Sequence, residues 1–184
     1  MKKIFIIPVI ALSIIAGNAT HIYAQKTVMV GGAAMYPAKN IIENAVNSKD
    51  HTTLVAAVKA AGLVETLEGA GPFTVFAPTN EAFGKLPSGT VDNLLKPENK
   101  PKLTSVLTYH VVPGSLDSKA LMDKIKAGKG MAMLTTVQGE QLTIMQKGTH
   151  LEVKDTKGNI AMITIKDVYQ KNGVIHVVDK VLMP

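Results

Sequence analysis

The stretch GPFTVFAPTNEAFGKLP, residues 71–87, decides how the chain is to be read. Gly71-Pro72 is a turn signal. Phe73, Val75 and Ala77 then alternate with Thr74 and Phe76, the period of a strand that carries an apolar residue on each face. A strand buried on both sides belongs in a core. Pro78 cannot donate to a β-ladder, and Thr79 or Asn80 can cap a helix whose first turn holds Glu81, the charge a helix N-terminus favours. Ala82, Phe83 and Leu86 give that short helix an apolar face before Pro87. The stretch predicts a buried strand that turns into a helix within three residues, with Phe73, Phe76 and Phe83 as core anchors and Thr79 and Asn80 at the joint.

Upstream, Gly31-Gly32 breaks the chain, and Pro37 suits the first position of a helix with Ala38, Ile41, Ile42, Ala45 and Val46 at helical spacing. Asp50 is placed to cap a second helix through Leu54, Val55, Val58 and Ala61, which Gly62 ends. Downstream, residues 88–95 and 101–109 read as short helices, with Leu103, Val106, Leu107 and His110 on one face of the second. Val111-Val112 starts a strand, Pro113-Gly114 turns it, and residues 118–126 form another helix. From Met131 the period changes from 3.6 to 2. Residues 131–137, 141–146, 151–154, 160–165 and 174–182 are predicted strands, separated by Gln138-Gly139, Lys147-Gly148, residues 155–159 and Asn172-Gly173. Helices first and strands second make the class α+β, with the strands as antiparallel hairpins in a sandwich or barrel.

Lys2 and Lys3 precede an apolar run over residues 4–16, followed by a polar patch and Tyr23-Ala24-Gln25, the order of a secretory signal peptide cleaved after Ala24 or, alternatively, after Ala19. The run is short of the ~20 residues that span a bilayer. Residues 1–24 are thus expected to be a leader and residues 25–184 a single domain, with its core at about 35–184. The mature chain is expected in the periplasm or outside the cell. With no cysteine it has neither disulfides nor a thioether-linked lipid. The net charge is +6, of which the leader's two lysines carry two. Every basic residue is a lysine, and there is no arginine, no tryptophan and no dense basic block. Nucleic-acid recognition favours arginine forks and aromatic platforms, so this surface reads as solvated charge.

Catalytic patterns are missing. There is no Gly-x-Ser-x-Gly elbow, and the serines at 48, 88, 105, 115 and 118 fall in cap and turn contexts. His51, His110, His150 and His176 lack metal-ligand spacing, and no glycine-rich loop opens a helix after a strand. Glu65 with Glu68 and Asp117 with Asp123 lie on polar helix faces. The reading is no enzyme, no metal and no cofactor. His110 and His176 fall among apolar neighbours, where a histidine is ordinarily a core residue whose ring nitrogens are paired.

Three pieces together resemble the fasciclin domain family: FTVFAPTNEAF at 73–83, LTYHVVPG at 107–114 and NGVIHVVDKVLMP at 172–184. Their order and spacing match over about residues 35–184. The resemblance implies a wedge-shaped antiparallel β-sandwich with several short helices packed on one edge. It also implies a secreted or surface module for adhesion and matrix contact. In animal members integrin recognition is attributed to the Tyr-His motif and to an Asp-Ile pair before the closing signature. Tyr109 and His110 match the first, and Asp167 with Val168 stands at the second, with Val in place of Ile. These four are the candidate binding residues. Each also has a structural reading, Tyr109-His110 as the joint between helix and strand and Asp167 as a turn carboxylate.

The expected function is a non-catalytic adhesion or interaction module, exported to bind a cell surface, a matrix polymer or polysaccharide, or a partner protein. The alternative is a carrier of an apolar small molecule such as a carotenoid or lipid. Some fasciclin proteins bind carotenoids, and Met131, Met133, Met145 and Met162 lie on consecutive predicted strands. Methionine suits adaptable pockets, and its ordinary use is to fill gaps in a core.

Overall fold

The computed structural model describes residues 26–184, so the expected leader lies outside the described residues. The two glycines read as a break form the turn of a hairpin, β1 (Val28–Val30) with β2 (Ala33–Met35), Gly31 and Gly32 both taking positive φ. Val30 and Met35 are buried, so packing begins ahead of residue 35. The first helix, α1 (Ile41–Ala45), starts later than Pro37 suggests. Asn40 accepts from the Glu43 amide while Glu43 accepts from the Asn40 amide, and this reciprocal cap outcompetes the proline. A 3₁₀ turn, Lys49–His51, absorbs Asp50 before α2 (Thr52–Ala61), whose end Gly62 sits at φ 74°. A short α3 (Val64–Glu68) follows.

The opening stretch folds as its pattern predicts. β3 (Phe73–Pro78) is buried from Thr74 onward, and Thr79 caps α4 (Asn80–Gly84) by accepting from the Ala82 amide at 3.2 Å. Asn80 accepts from the Thr53 amide at 2.9 Å and donates to the Lys49 carbonyl at 2.8 Å, tying the joint to the start of α2. After it come α5 (Thr90–Leu94), α6 (Lys100–Tyr109), β4 (Val111–Pro113) and α7 (Ser118–Ala127). The strands β5 (Met131–Thr135), β6 (Gln141–Lys147), β7 (His150–Lys154), β8 (Ile160–Gln170) and β9 (Gly173–Val178) complete the chain.

The expected wholly antiparallel sandwich needs correction. The strands from β3 onward form one sheet in the order β4-β3-β9-β8-β7-β6-β5, and β3 runs parallel to β9. A parallel pair needs a long crossover, which everything between the two strands supplies. Both strands are buried on both faces, the setting in which parallel pairs occur. β8 changes register twice along β9 and bends there, so the sheet curls, and the Val137 amide donates to the Val111 carbonyl at 2.7 Å between its two ends. The result is nearly barrel-like.

β3 and β9 divide the core. On one face Val75, Ala77, Ile175 and Val177 pack with α1, α2 and α6 through Ile41, Val58, Leu103 and Leu107. On the other, Phe76, Val112 and Val178 meet Leu121 and Ile125 of α7 and the inward residues Leu134, Leu142, Ile144 and Val153. Phe83 joins Ala82, Val106 and Val181 in a smaller cluster, while Phe73 packs half-buried against the helical side. Phe76 is wholly buried, and truncating a phenylalanine in such a place costs about 3–5 kcal/mol.

Candidate functional site

Tyr109 and His110 end α6 where it passes into β4. The Tyr109 ring is wholly buried against the α7 side of the core. Its hydroxyl donates to the Gln141 carbonyl at 3.0 Å and accepts from the Thr156 amide at 3.1 Å. Burial raises the phenol pKa above its ordinary value. His110 donates from Nδ1 to the Val106 carbonyl at 2.8 Å and accepts at Nε2 from the Leu182 amide at 3.0 Å. A backbone N–H only donates, so this pair assigns the proton to Nδ1. Burial pushes the imidazole pKa down to about 4, against the opposing pull of the Val106 carbonyl and the Asp155 charge. Neither side chain presents a surface to a partner.

Asp167 lies in the second register shift of β8, with φ 60°. Asp tolerates this left-handed conformation better than most residues. Its carboxylate accepts from the Ser118 amide at 2.6 Å and from the Ser118 hydroxyl, which pins the bulge to the start of α7. The Asp167 amide donates to His176 Nδ1 at 3.4 Å, and His176 Nε2 donates to the Leu116 carbonyl at 2.8 Å. His176 is wholly buried, stacks on Phe76 with centroids 5.8 Å apart, and has its pKa lowered by burial. Beside them Asp117 caps α7 through the Ala120 amide and accepts from the Tyr169 hydroxyl at 3.1 Å. Tyr169 is pushed up to about 12, first by burial and then by that carboxylate, which binds the protonated phenol. Val168 is 1% exposed in the helical-side core, so it too offers nothing to a partner.

These pieces converge on one loop, residues 113–118. Thr74 donates to the Gly114 carbonyl at 2.7 Å and accepts from the Leu116 amide at 2.8 Å, and the Gly114 amide donates to the Pro72 carbonyl at 2.8 Å. From the closing motif His176 holds the Leu116 carbonyl, and from β8 Asp167 holds Ser118. The Tyr-His motif runs into the loop at Pro113 and Gly114, and its His110 carbonyl is held to β3 by the Phe76 amide at 2.9 Å. Thus Thr74 of the first motif, His176 of the last and Asp167 fix one segment, whose first two residues, Pro113 and Gly114, end the Tyr-His motif. Its outer side, with Pro113, Ser115, Lys119 and the adjoining Lys166, is exposed. No nucleophile here stands against a free base, because both ring nitrogens of His110 and of His176 are occupied. Among the described residues no group of three His, Asp or Glu side chains is arranged to hold a metal ion.

The sequence reading passed over three buried polar residues. Asn172 accepts from the Ile41 amide at 3.1 Å and donates to the Leu67 and Gly69 carbonyls at 2.7 and 2.8 Å. Asn44 brackets the Tyr36 backbone and donates to Gln170. Asn172 was legible only as a turn residue, because nothing local to it names partners a hundred positions away.

Between the helices and β3, β4 and β9 lies an apolar cavity of about 70 Å³, lined among others by Met35, Ile42, Val58, Leu107 and Ile175. His51 borders it, with Nδ1 2.9 Å from the Ser48 hydroxyl and Nε2 buried without a partner. Burial lowers its pKa, opposed by the Ala77 carbonyl and Asp50. None of the four strand methionines lines this cavity. Met131 and Met133 are exposed and Met145 and Met162 half-exposed, because β5, β6 and β8 turn Ala132, Leu134, Leu142, Ile144, Ala161 and Ile163 inward instead. This corrects the expectation that the methionines fill a core or pocket.

Comparison with known proteins agrees with this geometry. The Fasciclin domain model matches residues 49–184. The chain is 46% identical over 160 residues to Protein sll1483 of Synechocystis sp., covering 87% of this chain and 82% of that protein. It is 38% identical to the immunogenic protein MPB70 of Mycobacterium bovis, covering 76% of this chain and 66% of that one. The fold is shared with the FAS1 domain pair of the insect cell adhesion molecule Fasciclin I, at a TM-score of 0.70 and 18% identity over 87% of this chain and 58% of that chain. A family model over most of the chain, joined to the three motifs that meet at one loop, makes this protein a member of the Fasciclin domain family.

Proposed function

We propose that the protein is an exported, non-catalytic interaction module that meets a cell surface, matrix polymer or partner protein through the 113–118 loop and the adjoining β8 bulge. The observation that supports this reading is the convergence of all three motifs on that loop, whose outer side is left free. Tyr109 packs in the cluster against which Leu116 of the loop is laid, His110 and Val168 are buried core residues, and Asp167 clamps the rim through Ser118. A segment held in one conformation loses little entropy on binding, which favours recognition. Among the described residues no helix is long and apolar enough to cross a membrane. The test is adhesion of protein-coated beads to producing cells and to matrix polysaccharide. Lys166→Glu and Ser115→Tyr should weaken adhesion without shifting the melting temperature, while Lys59→Glu on the distant α2 should not. Equal adhesion by all three variants rejects the rim as the contact.

The cavity beside His51 supports a second reading, carriage of a small apolar molecule. Ligand pockets usually hold about 300–1,000 Å³. At about 70 Å³ the cavity takes a carotenoid or lipid only if the helices part from the sheet. Colour or co-purifying lipid in the native protein would favour that reading, and a clean preparation that takes up neither would reject it.

A further inference from the structure

The outward face of the β5–β8 sheet carries a side-chain set that neither the loop nor the cavity uses. Met131 lies directly opposite Met145 in the antiparallel β5–β6 pair, and Met133 follows two residues along β5 on the same face. Directly opposite residues stand about 4.5–5.5 Å apart at Cα and Cβ, diagonal neighbours about 7–8 Å, and residues two apart on a strand about 6.7 Å. Three unbranched thioethers, each with three rotatable bonds, therefore start within one side-chain length of a common point above the sheet. Met131 is 52% exposed and Met133 66%, so both are reachable from solvent. The same row continues through Glu152, opposite Met145, to Met162.

Burial does not explain these methionines, since the inward positions of the same strands are filled by Ala, Leu and Ile. A broad docking patch does not explain them either. The surrounding outward positions are Thr143, Lys154, Gln141 and Glu152, which break the apolar area into a small island, whereas docking surfaces are larger and contiguous. What distinguishes three adjacent methionines from leucines is sulfur. Thioether sulfur is a soft ligand that selects Cu(I)-like ions, and in a chain without cysteine it is the soft donor available.

We propose that Met131, Met133 and Met145 form a surface site for a soft, monovalent d10 cation, Cu(I) or Ag(I), coordinated by three thioether sulfurs. Each sulfur donates a lone pair and no proton leaves, because a thioether is uncharged and unprotonated in the free protein. Glu152, on the same face, pairs with Lys147 at 3.9 Å. His150, two residues before Glu152 on β7, faces the same way and is paired with Lys147. A histidine-based site would take up protons as pH falls from 7 to 5 and weaken; a thioether site would not.

The experiment uses the purified protein with its methionine methyls labelled with carbon-13. Silver(I) nitrate in a chloride-free buffer is titrated against those methyl signals. Cu(I) is competed anaerobically against a chromophoric chelator at pH 7 and pH 5. The site requires one equivalent of Ag(I) to move the Met131, Met133 and Met145 signals together, and Cu(I) affinity to hold within about threefold between the two pH values. Replacing a ligand should cost at least the 10–100-fold typical of losing an outer-shell partner, so Met133→Leu should weaken binding about tenfold or more. The triple Met→Leu variant should abolish binding while keeping the parent's melting temperature. Silver that binds while copper does not narrows the ion and keeps the site. Absence of saturable binding of both ions, binding that the triple variant retains, or binding that moves His150 signals and fades at pH 5 overturns the proposal.

Discussion

Lowering the pH from 7 to 4 should weaken the fold through His110. Its neutral ring accepts from the Leu182 amide at Nε2, and protonation would set one donor against another at a buried site. The folded-state pKa is about 4 against an ordinary 6.5, so the unfolded chain takes up the proton first as pH falls. Above about pH 7 neither state is protonated and the group has no effect on stability. Between 6.5 and 4 stability declines, and below 4 the full penalty has been incurred. One proton of difference is worth about 1.4 kcal/mol per pH unit, so this window corresponds to about 3 kcal/mol. Burial also lowers the His176 and His51 values, so they tilt the curve the same way. Comparing the parent with His110→Gln isolates the one ring. Urea unfolding at pH 7, 6, 5 and 4 should give a variant that is weaker at pH 7 by about 1–3 kcal/mol but flatter toward pH 4 by about one proton. Nitrogen-15 spectra of the parent should keep the His110 proton on Nδ1 down to about pH 5. A His110 signal titrating near its ordinary value in folded protein, or equal slopes in parent and variant, would refute the reasoning.

Two further substitutions test the packing at the start of β9. Asn172→Ala leaves the Ile41 amide and the Leu67 and Gly69 carbonyls without their partner, and at about 1–3 kcal/mol for each stranded buried group, urea unfolding should show a loss of at least ~2 kcal/mol. In Gly173→Ala the new methyl would lie 2.0 Å from the Phe73 carbonyl oxygen across the parallel β3–β9 pair, so the variant should express as unfolded or aggregated protein, read by circular dichroism.

Much of the architecture was legible in order along the chain. Strand period and a proline followed by a capping pair located β3, Thr79 and α4, and the change from period 3.6 to 2 at Met131 located the strand half. Local competition misled the reading at Pro37, where Asn40 and Glu43 cap a later start. It also hid β1 and β2, whose three-residue strands are too short to show a period. The parallel run of β3 beside β9 left a faint trace, since both are apolar on both faces where hairpin strands such as β5 alternate.

The candidate site divides along the same line. Residue types alone identified the motifs, placed Tyr109 and His110 in one of them and Asp167 with Val168 just before the last, and showed no recognisable catalytic set, because those properties depend on which groups the chain contains and how near they lie in sequence. Pairing decided the rest. Residues 74, 167 and 176 meet at one loop through hydrogen bonds that span 40 to 60 positions, and a period of 2 gives alternation without saying which face is inside. That one choice of face turned the methionines outward and the loop's anchors inward, since burying Leu and Ile from every strand at once admits a single register.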